Sequence, residues 1–235
     1  MKQIALDIGL HTGPTLTNFF AGSADASSTA NTAALQHLNL WASSPTRSPV
    51  PTYLWGGSSS GKSHLLKAVA HALREQGVHV GWLDASIMTP PAFDDSWAAV
   101  LMDDVHLYTA QQQHAAFNWF VNAMTPSTGL QRWVLAAGAT PPADLMLRED
   151  LRTRLGWGHV FALQVLSEPE RRAVLRKEAD ARGVFLSDDV MDFMLNRFSR
   201  DLGSLMELLD AIDGYALQSK KSITVPLIKS MMDNG

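Results

Sequence analysis

A glycine-rich loop that ends in lysine and serine is the segment whose residue types and spacing could do chemistry. Residues 56–63 read GGSSSGKS and match the phosphate-binding pattern G-x-x-x-x-G-K-[ST] at every fixed position. Backbone N–H groups of such a loop surround phosphate oxygens, Lys62 can reach the terminal phosphates, and the Ser63 hydroxyl can ligate Mg²⁺. The pattern predicts a nucleotide site made by Gly56, Gly57, Ser58, Ser59, Ser60, Gly61, Lys62, Ser63 and His64.

The segments on both sides of the loop fit this interpretation. Residues 51–55 are apolar and rich in strand formers, and residues 64–73 have helical spacing. A strand, a loop and a helix are the context that the pattern requires. The helix N-terminus adds the positive end of its dipole to the site.

Strand-like and helical segments alternate along the first two thirds of the chain, which favours a parallel sheet covered on both faces. Strands are predicted over residues 78–84, 97–104, 132–137 and 159–165, and a helix over 110–124. Nearer the start, the small residues 21–30 predict a loop, and Asn31 is expected to cap a helix that runs to about Trp41.

From Ser167 onward the sequence contains only helical patterns. Ser167 and Glu170 form a capping box for a helix that ends before Gly183. Three more helical patterns follow, over residues 187–198, 202–218 and from 224 onward. The sequence therefore predicts an α/β core followed by a small all-helical domain.

Two acids follow the apolar segment 100–102. Asp103 is expected beside Ser63, where it can hold Mg²⁺ through water, and Asp104 can orient an attacking water. Two acids after an apolar strand are, taken alone, more often a simple strand end. Their position after Lys62 in an alternating α/β pattern favours the functional interpretation.

The composition excludes several classes of protein. A net charge of −4 and a pI of about 6 disfavour strong direct DNA binding. The chain has no cysteine, which excludes disulfides and thiolate metal sites. The sequence shows no signal peptide and no run of about 18 apolar residues, so we expect a cytoplasmic protein without a membrane span.

These motifs together resemble the DnaA branch of the AAA+ ATPases. The matching segments are residues 54–66, 101–105, 151–158, 163–167 and 220–226. The resemblance implies an AAA+ P-loop NTPase core, with a parallel five-stranded sheet in a three-layer αβα arrangement, and a C-terminal helical lid. It implies an N-terminal peptide and entry segment over residues 1–22, a core over 23–165 and a lid over 166–235.

The N-terminal residues also resemble a motif found in this family. The chain ends at Gly235 without the helix-turn-helix domain of the initiator DnaA, so the resemblance is strongest to DnaA-related regulators that consist of core and lid. In such regulators a short peptide docks on the DNA sliding clamp. Gln3 would contact the rim of the clamp pocket, and Leu6 and Ile8 would fill it. Taken alone, the segment is more often an N-terminal strand.

Arg154 falls on the family's arginine-finger position, in the segment RTRLGWG at residues 152–158. The resemblance implies that Arg154 acts in trans on the γ-phosphate of ATP bound to a neighbouring subunit. Without the resemblance, a surface salt bridge to Glu149 or Asp150 would be the simpler interpretation.

Two positions depart from the family pattern. Ala139 stands where a polar first-sensor residue is usual, with Thr140 as the only substitute, and Gly203 stands where a second-sensor arginine belongs, with Arg200 three residues earlier. These losses predict weak ATP turnover and make a bound diphosphate compatible with the site.

The resemblance therefore implies a negative regulator of replication initiation that stimulates hydrolysis of ATP bound to DnaA. The expected partners are DnaA, the DNA polymerase III sliding clamp (its beta subunit) and a second copy of the chain; the expected cofactors are ADP or ATP with Mg²⁺. Two alternatives stay open: a helicase loader or other ATPase with its own turnover, and a DNA-binding adaptor that recruits DnaA.

Overall fold

A computed structural model describes residues 13–22, 26–44, 48–125, 132–197 and 202–233, with only the backbone described at 26–29. Five strands occupy Thr52–Trp55 (β1), Val80–Leu83 (β2), Ala99–Met102 (β3), Trp133–Gly138 (β4) and His159–Ala162 (β5). Eight helices lie in the described ranges: Ala26–Ser43 (α1), Lys62–Glu75 (α2), Ala110–Met124 (α3), Glu149–Leu155 (α4), Glu168–Ala181 (α5), Asp188–Arg197 (α6), Leu202–Ser219 (α7) and Val225–Asp233 (α8). None of these helices is long and apolar enough to span a bilayer.

The five strands form one parallel sheet in the order β2-β3-β4-β1-β5. Thr52 of β1 is level with Leu135 on one side and with His159 on the other, so β1 lies between β4 and β5. The crossovers from β1 to β2, from β3 to β4 and from β4 to β5 each contain a helix, whereas β2 and β3 are joined by residues 84–98 without one. The predicted five-stranded parallel sheet is confirmed.

Helices cover both faces of the sheet, and its central strands are therefore buried throughout. Every residue of β3 and β4 is buried. The sheet residues Tyr53, Val100, Met102, Val134 and Ala136 share one core with apolar residues of α3 and α4. The alternate residues Leu54, Leu101 and Leu135 are fully buried on the opposite face. This layering makes the carboxyl ends of β1 and β3 fixed points from which functional side chains extend.

By its internal contacts, the chain forms two compact units. One comprises residues 13–19, 33–55 and 62–162 of the described part, and the other comprises 20–32, 56–61 and 163–233. Within the second unit, α5 to α8 pack around a core that includes Leu175, Met191, Leu205 and Ile228. The expected helical lid is confirmed.

Local signals in the lid agree with the sequence. The Ser167 N–H donates to the Glu170 carboxylate at 2.7 Å, which completes the predicted capping box. Gly183 has φ 70°, and the N–H of Val184 donates back to the Ala179 carbonyl at 2.9 Å. A left-handed glycine with this bond is a common helix end, and it explains why α5 stops there.

The sequence placed the first helix and the last strand incorrectly. Helix α1 begins at Ala26, so the last part of the predicted loop is helical, and Asn31 lies inside the helix and does not cap it. The Asn31 amide instead donates to the Gln164 carbonyl at 3.1 Å and accepts from the Gln164 N–H at 2.8 Å. The tertiary contact outweighs the capping preference. Strand β5 ends at Ala162, three residues earlier than predicted.

Candidate nucleotide site

The phosphate-binding loop joins β1 to α2, as the sequence predicts. Within the loop, Ser59 (φ 64°) and Gly61 (φ 89°) adopt left-handed backbone conformations. The Ser60 N–H donates to the Gly57 carbonyl at 3.3 Å, which closes a tight turn. A Cβ on Gly56 would lie 2.4 Å from the Leu163 carbonyl oxygen, so only glycine fits there. The backbone conformation at Gly61 and the close approach of the Leu163 carbonyl to Gly56 therefore each favour glycine in this loop.

Lys62 is buried at the start of α2. Burial lowers the pKa of its ammonium group, and the negative charges of Asp104 and Asp103 oppose that shift. The two acids predicted to follow β3 are therefore close to the loop lysine. A triphosphate bound here would supply the negative charge that a buried lysine favours.

Ser63 and Asp103 are neighbours, as a shared magnesium site requires. The Ser63 hydroxyl hydrogen-bonds to the Asp103 carboxylate, and the Asp104 N–H donates to Asp103 Oδ1 at 3.0 Å. Burial raises the pKa of Asp103 despite these two bonds. A divalent cation held by Ser63 directly and by Asp103 through water would offset that burial, because it stabilises the ionised carboxylate. The donor set therefore fits Mg²⁺.

Asp104 differs from Asp103 in conformation and exposure. It has left-handed dihedral angles, φ 48° and ψ 43°, and begins the short 3₁₀ turn Val105–Leu107. Its side chain is 40% exposed, and Oδ1 lies 4.0 Å from His106 Nδ1. Asp tolerates this conformation better than most residues. The turn directs Asp104 away from the buried position of Asp103, so that the Asp104 carboxylate is accessible to water.

The His64 ring faces the segment before α1. Its Nε2 lies 3.1 Å from the Thr15 carbonyl oxygen, and its ring centroid is 5.6 Å from that of Phe19. Burial lowers the pKa of His64, so the neutral ring with Nε2–H donates to that carbonyl. A nucleotide contact at this residue would therefore have to come from its backbone N–H. Its side chain holds the entry segment.

Arg154 lies in the last turn of α4 and is half-buried. Its guanidinium carbon is 4.6 Å from the centroid of the Phe117 ring, and Nη1 donates to the Asp150 carbonyl at 3.1 Å. No carboxylate among the described residues forms an ion pair with it. Its charge is therefore available to a partner. The salt bridge to Glu149 or Asp150 that residue types alone would favour is absent from the described structure.

The same surface contains residues that the sequence did not single out. Phe117 lies under Arg154, and a second guanidinium, that of Arg148, is 4.8 Å from the same ring. Arg148 also forms an ion pair with Asp150 at 2.6 Å. These residues are brought together by the packing of α3 against α4, so no short sequence motif could have predicted that they form one surface.

The two departures from the sensor pattern lie in defined elements. Ala139 and Thr140 follow β4, and the Thr140 carbonyl accepts a hydrogen bond from the Tyr53 hydroxyl at 2.9 Å. Gly203 is the second residue of α7 and is exposed. Arg200 lies outside the described residues, as do Gln3, Leu6 and Ile8 of the predicted clamp peptide.

Comparisons with known proteins identify the lid and the fold. Residues 168–232 match the family model "Hda, lid domain". Domain III of DnaA from Thermotoga maritima superposes with a TM-score of 0.68 at 20% identity, over 94% of this chain and 95% of that chain. AMPPCP-bound DnaA from Aquifex aeolicus matches at TM-score 0.61 and 20% identity, over 85% of this chain and 65% of that chain.

A more distant AAA+ protein has the same fold. RuvB from Thermotoga maritima, a Holliday junction branch migration motor, matches at TM-score 0.58 and 15% identity, over 87% of this chain and 68% of that chain. The order β2-β3-β4-β1-β5 with flanking helices and a helical lid is thus the AAA+ arrangement. The chain therefore has the AAA+ fold, and its helical lid matches the lid family of Hda.

Proposed function

We propose that the protein is a negative regulator of replication initiation that makes DnaA hydrolyse its bound ATP. Arg154 enters the ATP site of DnaA, while residues 3–8 hold the protein on the DNA-loaded sliding clamp. The protein's own nucleotide orders the site from which Arg154 is presented.

The state of Arg154 is the observation that carries this proposal. Its guanidinium is half-buried over Phe117, bonded only to a backbone carbonyl among the described contacts, and not paired with a carboxylate. Such a cation can stabilise the charge that develops on a transferred phosphoryl group. Arginine fingers supplied in trans increase hydrolysis by about 10³- to 10⁵-fold.

The nucleotide site of the chain itself supports binding more than turnover. Lys62, Ser63 and Asp103 lie together in a way that fits a nucleotide phosphate and Mg²⁺. Ala139 and Gly203 supply no polar group where the family senses the γ-phosphate. We expect tight binding of ADP or ATP and slow hydrolysis by the isolated protein.

Attachment of the protein to the sliding clamp would make it act on DnaA only after the clamp is loaded on DNA. A peptide bound to the clamp raises the local concentration of the attached domain, without any new contact to DnaA. Gln3, Leu6 and Ile8 are the residues that we assign to this contact. A loaded clamp then marks the DNA on which initiation has already led to synthesis.

The decisive experiment follows DnaA-bound ATP over time in the presence of DNA-loaded clamp and the full chain. We expect Arg154→Ala to abolish the stimulation and Arg152→Ala to preserve it, since Arg152 is a cation on the same helix whose side chain has no described hydrogen bond or ion pair. A triple alanine variant of Gln3, Leu6 and Ile8 should lose clamp binding. Stimulation by Arg154→Ala equal to that of the wild type would refute the role of Arg154.

A second candidate function is ATP turnover by the chain itself. Asp104 favours it, because this partly exposed carboxylate lies close enough to Lys62 to oppose the lowering of the lysine pKa. Rapid hydrolysis by the purified chain, lost in Asp104→Asn, would support an ATPase or helicase loader. Slow hydrolysis that is unchanged in that variant would exclude it.

A further inference from the structure

We propose that Arg148 is a positioning residue for Arg154: it occupies the carboxylate of Asp150, which would otherwise pair with Arg154 and neutralise it. The inference rests on the proposed function of Arg154 and adds a second residue to the same surface. It concerns a competition between two arginines for one acid.

The helical spacing sets up this competition. Asp150 and Arg154 are one turn apart on α4, a spacing at which acidic and basic side chains usually pair. Arg154 instead donates to the backbone carbonyl of Asp150, at 3.1 Å. The acid nearest to Arg154 on its own helix is therefore already in use.

Arg148 uses both oxygens of that carboxylate. Its Nε donates to Asp150 Oδ1 at 2.6 Å, and its Nη2 donates to Oδ2 at 2.6 Å. The N–H of Leu151 donates to Oδ1 as well, at 2.8 Å. Two parallel bonds from one planar guanidinium fix an acid in position and direction better than a single contact does.

Neighbours on α3 hold Arg148 in this position. Its backbone N–H donates to Gln113 Oε1 at 3.0 Å, and its Nη1 lies 3.4 Å from His114 Nδ1. Its guanidinium also lies over Phe117, 4.8 Å from the ring centroid. Arg148 thus has contacts to α3 through backbone, guanidinium edge and guanidinium face, whereas Arg154 shares only the ring.

The electrostatics agree with a carboxylate within reach of both cations. The hydrogen bonds from Arg148 are the main cause of the lowered pKa of Asp150, and the charge of Arg154 contributes in the same direction. Arg154 therefore already interacts with this acid through space. Without Arg148, the Asp150 carboxylate would be free to pair with Arg154, the cation that the proposed reaction needs.

The test measures DnaA-bound ATP hydrolysis, with DNA-loaded clamp, in a cycle of full-chain variants. We expect Arg148→Gln to reduce stimulation about two- to threefold, the scale of an exposed ion pair one helical turn apart. The double variant with Asp150→Asn should recover the wild-type rate, because the competing charge is gone. The deficit of Arg148→Gln should also shrink as salt rises.

The matched control is Arg152→Gln, which removes one positive charge from α4 at a side chain without a described contact to Asp150. It should show no deficit that Asp150→Asn can rescue. If the double variant is as slow as Arg148→Gln, Arg148 acts in another way and the inference is wrong. If neither the wild type nor any variant stimulates DnaA, it is the proposed function that fails.

A second measurement decides the positioning without DnaA. The Asp150 carboxylate is titrated by NMR in the free protein. We expect its pKa to stay below the ordinary range in Arg148→Gln, because Arg154 takes over the carboxylate while the Leu151 N–H still donates to it, and to rise clearly further when Arg154→Gln is added. A full return to the ordinary range in Arg148→Gln alone would overturn the inference.

Discussion

Gly138→Ala should strongly destabilise the chain, and Tyr53→Phe should relieve much of that loss. The Tyr53 side chain is fully buried, and its hydroxyl donates to the Thr140 carbonyl at 2.9 Å. A Cβ on Gly138 would lie 2.2 Å from that hydroxyl oxygen, but 3.2 Å from Tyr53 Cζ and from Val105 Cγ2. The hydroxyl is thus the atom that excludes a side chain at residue 138.

The magnitudes follow from these distances. Tyr53→Phe removes one buried hydrogen bond, which lowers the free energy of unfolding by about 1 kcal/mol. Gly138→Ala adds an overpacking cost of about 1–3 kcal/mol and displaces the same hydrogen bond. In the Tyr53→Phe background the closest atom is gone. The double variant should therefore be more stable than the sum of the two single losses predicts, by about 1–3 kcal/mol.

Urea unfolding of the four proteins, followed by tryptophan fluorescence and by circular dichroism, measures this coupling. Coincident transitions by the two probes are needed before the free energies are compared, because the chain has two compact units. Additivity of the two substitutions within about 0.5 kcal/mol would refute the steric reasoning. Equal stability of Gly138→Ala and the wild type would refute it as well.

Three further predictions concern the candidate cation site, the Phe117 ring beneath Arg154 and the half-buried His37. Asp103→Asn should weaken nucleotide affinity in Mg²⁺ but much less in EDTA, since the carboxylate beside Ser63 acts through the cation; titration with a fluorescent nucleotide measures both. Phe117→Leu should reduce stimulation of DnaA about two- to fivefold while Phe117→Tyr preserves it, because a cation over a solvent-accessible aromatic face gains about 0.5–1 kcal/mol and Phe117 is only partly buried. Equal rates for the two variants would exclude a role of the ring in supporting Arg154. Burial, and then the nearby charge of His159, lower the pKa of His37, so the free energy of unfolding should fall as the pH drops below about 6.5. Denaturation at several pH values should show a steeper fall in the wild type than in His37→Gln.

Sequence patterns predicted the core of the site because its chemistry depends on fixed spacing. The loop of residues 56–63 must join a strand to a helix, and Asp103 must follow another strand of the same sheet, so periodicity and motif together indicated where Lys62, Ser63 and Asp103 lie in the fold. The five-stranded sheet and the helical lid follow from the same patterns and from the resemblance. These predictions succeeded where local sequence and tertiary contacts favour the same structure.

Prediction failed where a tertiary contact decides. Asn31 has a residue type that favours a helix start, but its amide binds the backbone of Gln164 and the helix extends past it. The surface around Arg154 depends on Phe117 of α3 and Arg148 before α4, more than thirty residues apart in the chain. No periodicity indicates such a pair, because it forms only when two helices pack.

The pairing of Asn31 with Gln164 also leaves no unsatisfied backbone group at this residue, just after β5. A side-chain amide has the same donor and acceptor as a peptide group, so Asn31 satisfies the Gln164 backbone as a further strand would. Unsatisfied backbone groups along an extended segment can template pairing with another molecule. One asparagine inside a helix thus satisfies both backbone hydrogen-bonding groups of Gln164, two residues beyond the end of β5.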